Sequence, residues 1–278
     1  MTSRAWEGLR ATASAQLSAR GWRPARGTPL REGYLRPDFG VDDEAAIKAA
    51  VRRVRGNTMT SFERLATLWQ QVRYLDRYGI DGALVECGTW RGGSVGMMAL
   101  AHLAACPTAD RRLHLFDSFE GLPEPTAKDG TKAAQYASGR TTGALERIDA
   151  CTAPLEENRA LLEGAIGYPS ELLTYHQGWF QETVPVAAPS LGPIALLRLD
   201  GDWYESTVVC LEHLYPLVPP GGVVVIDDYG HWEGARRAVD EFIAETAEPI
   251  LLSHIDYTGR FWVRQSPAVD PEAKRQIS

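Results

Sequence analysis

Val85-Glu-Cys-Gly-Thr-Trp-Arg-Gly-Gly-Ser94 decides the architecture of this chain. An apolar strand, read over Ala83–Cys87, carries an acid near its end. A glycine-rich turn follows and feeds a helix of small residues from Gly92 to about Ala105. Glycines in such a turn let a ligand approach the backbone closely. The stretch is not GxGxxG, and no GK[ST] follows it, so it does not read as a phosphate cradle and a nicotinamide dehydrogenase is disfavoured. Glu86 stands where a carboxylate repels a pyrophosphate and attracts a cation. A plain tight turn is the competing reading.

Outward from this stretch, strands and helices alternate. Upstream, one-sided apolar patterns predict helices over Val41–Arg55, capped by Asp42 or Asp43, and from Ser61 to Gly79. Downstream, strands are expected at Leu113–Phe116, Leu172–Tyr175, Ile194–Leu199 and Val223–Ile226. Helices are expected at Pro154–Gly164, Ser206–Tyr215 and Gly234–Glu245. Two terminal strands, near Ile250–Ser253 and Arg260–Arg264, would pair antiparallel around Tyr257-Thr-Gly259. No element is predicted between Tyr175 and Ile194. Gly121 to about Gly143 reads as a long, mobile lid loop. The pattern predicts an α/β fold, a mostly parallel sheet with helices on both faces and ligands at the carboxyl ends of its strands.

Those strand ends carry the acids. Asp117, in Phe116-Asp-Ser-Phe-Glu-Gly-Leu-Pro123, stands where an acid accepts hydrogen bonds from ribose hydroxyls; the alternative is that it caps the next turn. Leu199-Asp-Gly-Asp-Trp-Tyr204 and Ile226-Asp-Asp-Tyr-Gly-His231 bring Asp200, Asp202, Asp227 and Asp228 to one sheet edge. Mutually repelling carboxylates need a reason. A hard divalent cation such as Mg²⁺, taking oxygen ligands, supplies one; separate helix caps are the alternative.

Composition narrows the partners. The chain has 278 residues, ordinary for one α/β domain with extra segments. Its net charge of −7 argues against broad capture of nucleic acid. No apolar run approaches the roughly 20 residues of a membrane helix, and no secretory signal is visible, so a cytoplasmic location is expected. Cys87, Cys106, Cys151 and Cys210 form no CxxC pair, which speaks against zinc or a disulfide framework. Residues 1–56 read as an N-terminal arm and helix serving as a substrate lid, 57–265 as the main domain and 266–278 as a frayed tail.

With these motifs assembled, the chain resembles the macrocin O-methyltransferase family, whose members methylate sugar hydroxyls of natural products. The resemblance also rests on Asn57-Thr-Met-Thr-Ser-Phe-Glu-Arg-Leu65 and Gly178-Trp-Phe180, and it spans roughly Asn57 to Ile243. It implies a Rossmann-like class I methyltransferase with a seven-stranded sheet. It implies S-adenosylmethionine as methyl donor and Mg²⁺ as metal. Asp200, Asp227 and Asp228 fall on the metal ligands, and Asp202 on the general base. Thr58, Met59, Glu86, Gly88, Ser94, Asp117, Ser118, Gly178 and Trp179 fall on the cofactor pocket. Asp200 would thus serve catalysis through the metal, and His231 is the competing base.

The expected partner is a small-molecule glycoside, with a homo-oligomer possible. Two rivals stand: a catechol-type metal-dependent O-methyltransferase acting on a small aromatic, and a non-catalytic cofactor-binding subunit. The intact set of four carboxylates argues against the second.

Overall fold

The structure, a computed structural model, describes residues 43–266. The arm before residue 43 and the tail after 266 lie outside the described residues. Helix α1 (Glu44–Val54) and α2 (Phe62–Arg77) precede β1 (Ala83–Cys87), α3 (Gly93–Ala105) and β2 (Leu113–Asp117). Then come α4 (Gly130–Tyr136), α5 (Leu155–Arg159), β3 (Leu173–Gln177), α6 (Phe180–Leu191), β4 (Ile194–Leu199) and α7 (Tyr204–Leu214). Strand β5 (Val223–Ile226), α8 (Glu233–Glu245), β6 (Ser253–His254) and β7 (Arg260–Val263) complete the described chain.

The sheet has seven strands in the order β3-β2-β1-β4-β5-β7-β6. The first five are parallel, while β7 runs antiparallel to both β5 and β6. The α/β class and the mostly parallel seven-stranded sheet are as expected. Alternate residues of each strand feed opposite cores. Leu84, Leu196 and Val223 pack with Ile47, Leu65, Val72 and Met97 from α1–α3. Val85, Leu197 and Val224 pack with Val184, Cys210 and Val239 from α6–α8. Both faces are therefore covered, which is why β1, β4 and β5 are buried throughout. Strand order reverses between β1 and β4, and the crevice opens there at the carboxyl ends.

Local chemistry sets several boundaries. Ser61 caps α2, its hydroxyl accepting from Arg64 N at 3.2 Å. Asp43 sits at the N-cap of α1 but makes no side-chain cap; its carboxylate pairs with Arg73 at 3.4 Å instead.

Three departures from expectation matter. A helix, α6, fills the stretch between β3 and β4 despite Pro185 and Pro189, because Val184, Ala187, Ala188 and Leu191 present one buried face. The Gly121–Gly143 segment is not a structureless loop. It contains a 3₁₀ turn (Ala127–Asp129) and α4, nucleated by a capping box between Thr126 and Asp129. The helix after Pro154 does not stop at Gly164 but continues as π-helical turns to Ile166, ending at Gly167.

Candidate active site

Each predicted acid projects from a strand end. Glu86 is the penultimate residue of β1, Asp117 the last of β2, Asp200 the first after β4, and Asp227 and Asp228 the first two after β5. Loop β1–α3 meets loop β4–α7 so closely that only glycine fits at 88: its φ is +92°, and a Cβ would lie 1.9 Å from the Asp200 carbonyl oxygen. These loops wall a cavity of about 790 Å³. Thr58, Met59, Glu86, Gly88, Ser94, Asp117, Ser118, Trp179, Asp200, Asp202, Asp227, Asp228 and His231 all line it. Gly178 does not. It backs the wall through its amide, which donates to the Asp117 carbonyl at 3.0 Å.

At the β1–β2 end, Asp117 behaves as a turn cap. Its Oδ2 accepts from Thr89 N (2.7 Å) and Trp90 N (3.0 Å), and its Oδ1 accepts from Phe119 N (2.7 Å). Burial pushes this carboxyl above the usual range and those bonds pull against it. Ser118 is committed to the same loop, donating to the Gly121 carbonyl at 2.7 Å. Glu86 differs. It is fully buried, one oxygen receives Arg198, and Oε2 has no partner. Burial, opposed by Arg198, pushes its pKa up to about 8. A buried, unpartnered carboxylate oxygen on a cavity wall suits a donor or cation on a ligand. S-adenosylmethionine, with its ammonium and sulfonium, fits that demand.

At the β4–β5 end, Asp200, Asp227 and Asp228 each bring a carboxylate oxygen within 4.8 Å of the others. An all-oxygen set of this kind suits Mg²⁺. Burial, then repulsion from neighbouring carboxylates, raises Asp200 and Asp228 above the ordinary aspartate range. Asp202 lies beside them in a left-handed backbone conformation (φ +59°), with its amide donating to Asp228 Oδ2 at 3.2 Å. Its carboxylate accepts the Trp232 indole N–H. Burial, then repulsion from Asp200, raises Asp202 well above the usual range, and the Trp232 bond opposes this.

His231 reaches the cavity too, but the Lys132 ammonium lies 2.9 Å from its Nε2. Burial, then Lys132, lowers its pKa, so it binds a proton poorly.

Several site residues escaped the sequence reading. Arg198 and Arg64 both hold Asp227, and Arg64 Nε also donates to Asp256 at 3.0 Å. The signal for Arg198 was a lone cation inside an apolar strand. Tyr136, Trp203 and Trp232 form an edge-to-face triad with ring centroids 4.9–6.4 Å apart, seating α4 against the carboxylates. Asp129 secures that seat by accepting from Tyr204 N at 2.6 Å.

Comparison with known proteins identifies the family. The macrocin O-methyltransferase family matches residues 37–264. A Streptomyces olivaceus protein, 8-demethyl-8-(2,3-dimethoxy-alpha-L-rhamnosyl)-tetracenomycin-C 4'-O-methyltransferase, is 39% identical over 74% of this chain and 75% of its own. The demethyldecarbamoylnovobiocin O-methyltransferase of Streptomyces niveus is 34% identical over 84% of this chain and 86% of its own. Among solved structures, the O-methyltransferase NovP superposes with a TM-score of 0.65 at 33% identity, covering 76% of this chain and 83% of that one. On the family match and these relatives, the chain belongs to the macrocin O-methyltransferase family and is an S-adenosylmethionine-dependent O-methyltransferase.

Proposed function

We propose that this enzyme methylates a sugar hydroxyl of a glycosylated natural product with the help of Mg²⁺. The observation that carries the proposal is the convergence of Asp200, Asp202, Asp227 and Asp228 on one cavity, three of them within 4.8 Å of one another at a carboxylate oxygen. Asp200, Asp227 and Asp228 would hold the ion, which supplies Lewis-acid stabilisation of charge on an acceptor oxygen. S-adenosylmethionine, in the pocket of Thr58, Met59, Glu86, Gly88, Ser94, Asp117, Ser118 and Trp179, with Gly178 behind its wall, would supply the methyl group.

The chain's own residues divide the remaining work. Asp202 takes the acceptor proton. Asp202 lines the same cavity as the three carboxylates that would hold the ion, where the hydroxyl of a bound acceptor would face it. Trp232 fixes the direction of its carboxylate. The Gly121–Gly143 segment contributes Leu122, Pro123 and Tyr136 to the cavity wall, in keeping with a role over the acceptor. The name of the Streptomyces olivaceus relative specifies a rhamnosyl-bearing acceptor, which supports the sugar reading.

The test is mass spectrometry of reactions with methyl-labelled S-adenosylmethionine, a panel of glycosides and catechols, and either Mg²⁺ or excess chelator. Label on the sugar fragment, lost in chelator, is expected. Label on a phenol of an unglycosylated catechol would favour the aromatic reading, and turnover undiminished by chelator would remove the metal.

A further inference from the structure

One side chain touches both halves of the cavity. Arg198 is the penultimate residue of β4 and is 1% exposed. Its Nη1 donates to Glu86 Oε1 and, at 2.9 Å, to Asp200 Oδ2. Its Nη2 donates to Asp227 Oδ1 and, at 3.4 Å, to Thr60 Oγ1. Three carboxylates from three strands thus share a single planar cation. A fixed fork of donors can hold several acceptors in defined directions, which a lysine ammonium cannot do. In Glu86 and Asp200 the fork occupies one oxygen, and Glu86 Oε2 is left with no partner at the cavity wall. Arg64 donates to the remaining oxygen of Asp227, so that carboxylate is fixed from both sides.

We propose that Arg198 is a positioning residue common to the methyl-donor pocket and the cation site. It aims Glu86 at the donor and Asp200 and Asp227 at the ion, and it makes occupancy of one site felt at the other. The inference rests on the Mg²⁺ reading given above. Its physical basis is competition for one charge. When a ligand at Glu86 loosens its hold on Nη1, the guanidinium serves Asp200 and Asp227 more fully. Glu86→Gln, a weaker acceptor for Nη1, produces the same shift, and the ion then meets ligands more tightly engaged by Arg198.

The experiment is calorimetry with Mg²⁺ alone and with S-adenosylmethionine alone, on wild type, Arg198→Lys, Glu86→Gln and the double variant, with circular-dichroism melts to verify folding. Loss of an outer partner typically weakens metal binding by about 10–100-fold, and Arg198→Lys is expected in that range for Mg²⁺ while also weakening S-adenosylmethionine. Glu86→Gln, although outside the ion's ligand set, is expected to weaken Mg²⁺ by about fivefold or more. That effect should shrink in the Arg198→Lys background. Weakening of only one ligand by Arg198→Lys, with both bound by wild type, overturns the shared role and leaves the proposed function standing. Wild type that binds no Mg²⁺ overturns both. Should Arg198→Lys fail to fold, unchanged Mg²⁺ affinity in folded Glu86→Gln is sufficient to overturn the proposal.

Discussion

Among the described residues, two groups of side chains place three potential metal ligands within 4.8 Å: Asp200, Asp227 and Asp228 at the carboxyl edge of the sheet, and His102, Cys106 and Asp110 at the far end of α3. Proximity is the same, yet their electrostatics differ. His102 Nδ1 pairs with Asp76 at 3.0 Å, and its Nε2 accepts from Asp110 N at 3.3 Å. Arg111 Nε closes the network on Asp76 at 2.6 Å. The histidine is satisfied by protein groups, and the group serves to end a helix. At the sheet edge, carboxylates outnumber the guanidinium groups that touch them, and the cavity is open beside them. Unspent charge facing a cavity, rather than closeness of ligand atoms, distinguishes a site from a structural network.

The largest effect that could break this contrast is metal removal. Chelation should abolish turnover, and added Mg²⁺ should restore it. Asp228→Asn should shift the Mg²⁺ dependence of activity to higher concentration, whereas His102→Ala should leave it in place. A shift in His102→Ala would show that the wrong cluster carries the ion. Next in size is Asp202→Asn, which preserves shape and removes basicity. Its kcat should fall about 10²–10⁴-fold while Mg²⁺ and S-adenosylmethionine affinities stay near wild type. Recovery by added Mg²⁺ would instead make Asp202 a ligand.

The far cluster predicts a loss of stability, not of chemistry. Asp76→Ala removes the partners of His102 Nδ1 and Arg111 Nε and should cost about 1–3 kcal/mol in denaturant unfolding, with kcat at ambient temperature unchanged. An unfolding midpoint equal to wild type would mean the network is idle.

The smallest effect concerns pH. Glu86 has its folded-state pKa pushed up to about 8 by burial, so its contribution to stability is full below its unfolded value near 4.5 and is lost as pH rises through about 8. Burial works against Asp76 as well, but bonds from His102 and Arg111 prevail and lower its pKa; its contribution holds above 3.8 and disappears only in acid. Burial and the neighbouring His176 lower His114 to about 4, so it is neutral above pH 6.5. Melts of Mg²⁺-free protein between pH 6.5 and 8 should therefore show Tm declining as pH rises, with Asp202 and Asp228, also raised by burial, adding to the decline, and Glu86→Gln should reduce it. A Tm that climbs over this window would contradict the assignment.

The parts legible in the sequence were those where pattern and chemistry coincide. Apolar runs ending in acids identified β1, β2, β4 and β5 and brought Asp117, Asp200, Asp227 and Asp228 to one edge. No element was expected where α6 lies; Pro185 and Pro189 interrupt the stretch, yet Val184, Ala187, Ala188 and Leu191 carry helical spacing. Helix α4 was missed because its surroundings are rich in glycine and lysine; the Thr126-to-Asp129 capping box was the available cue. Arg198 was absorbed into the apolar run of β4, since nothing local reveals that three distant carboxylates share it. Asp117 shows a different limit. Its position was legible, but only the folded loops show its oxygens already engaged by backbone amides.

The bond from the Trp232 indole N–H to Asp202 makes the enzyme its own optical reporter. Indole emission is sensitive to the charge and polarity around the ring, and here the ring is tied to the proposed proton acceptor and packed on Trp203 and Tyr136. Protonation of that carboxyl, arrival of an ion beside it or seating of an acceptor would each change the field at one chromophore. Stopped-flow fluorescence of the unlabelled protein, with Trp232→Phe as the silent control, would resolve the order in which ion, donor and acceptor enter.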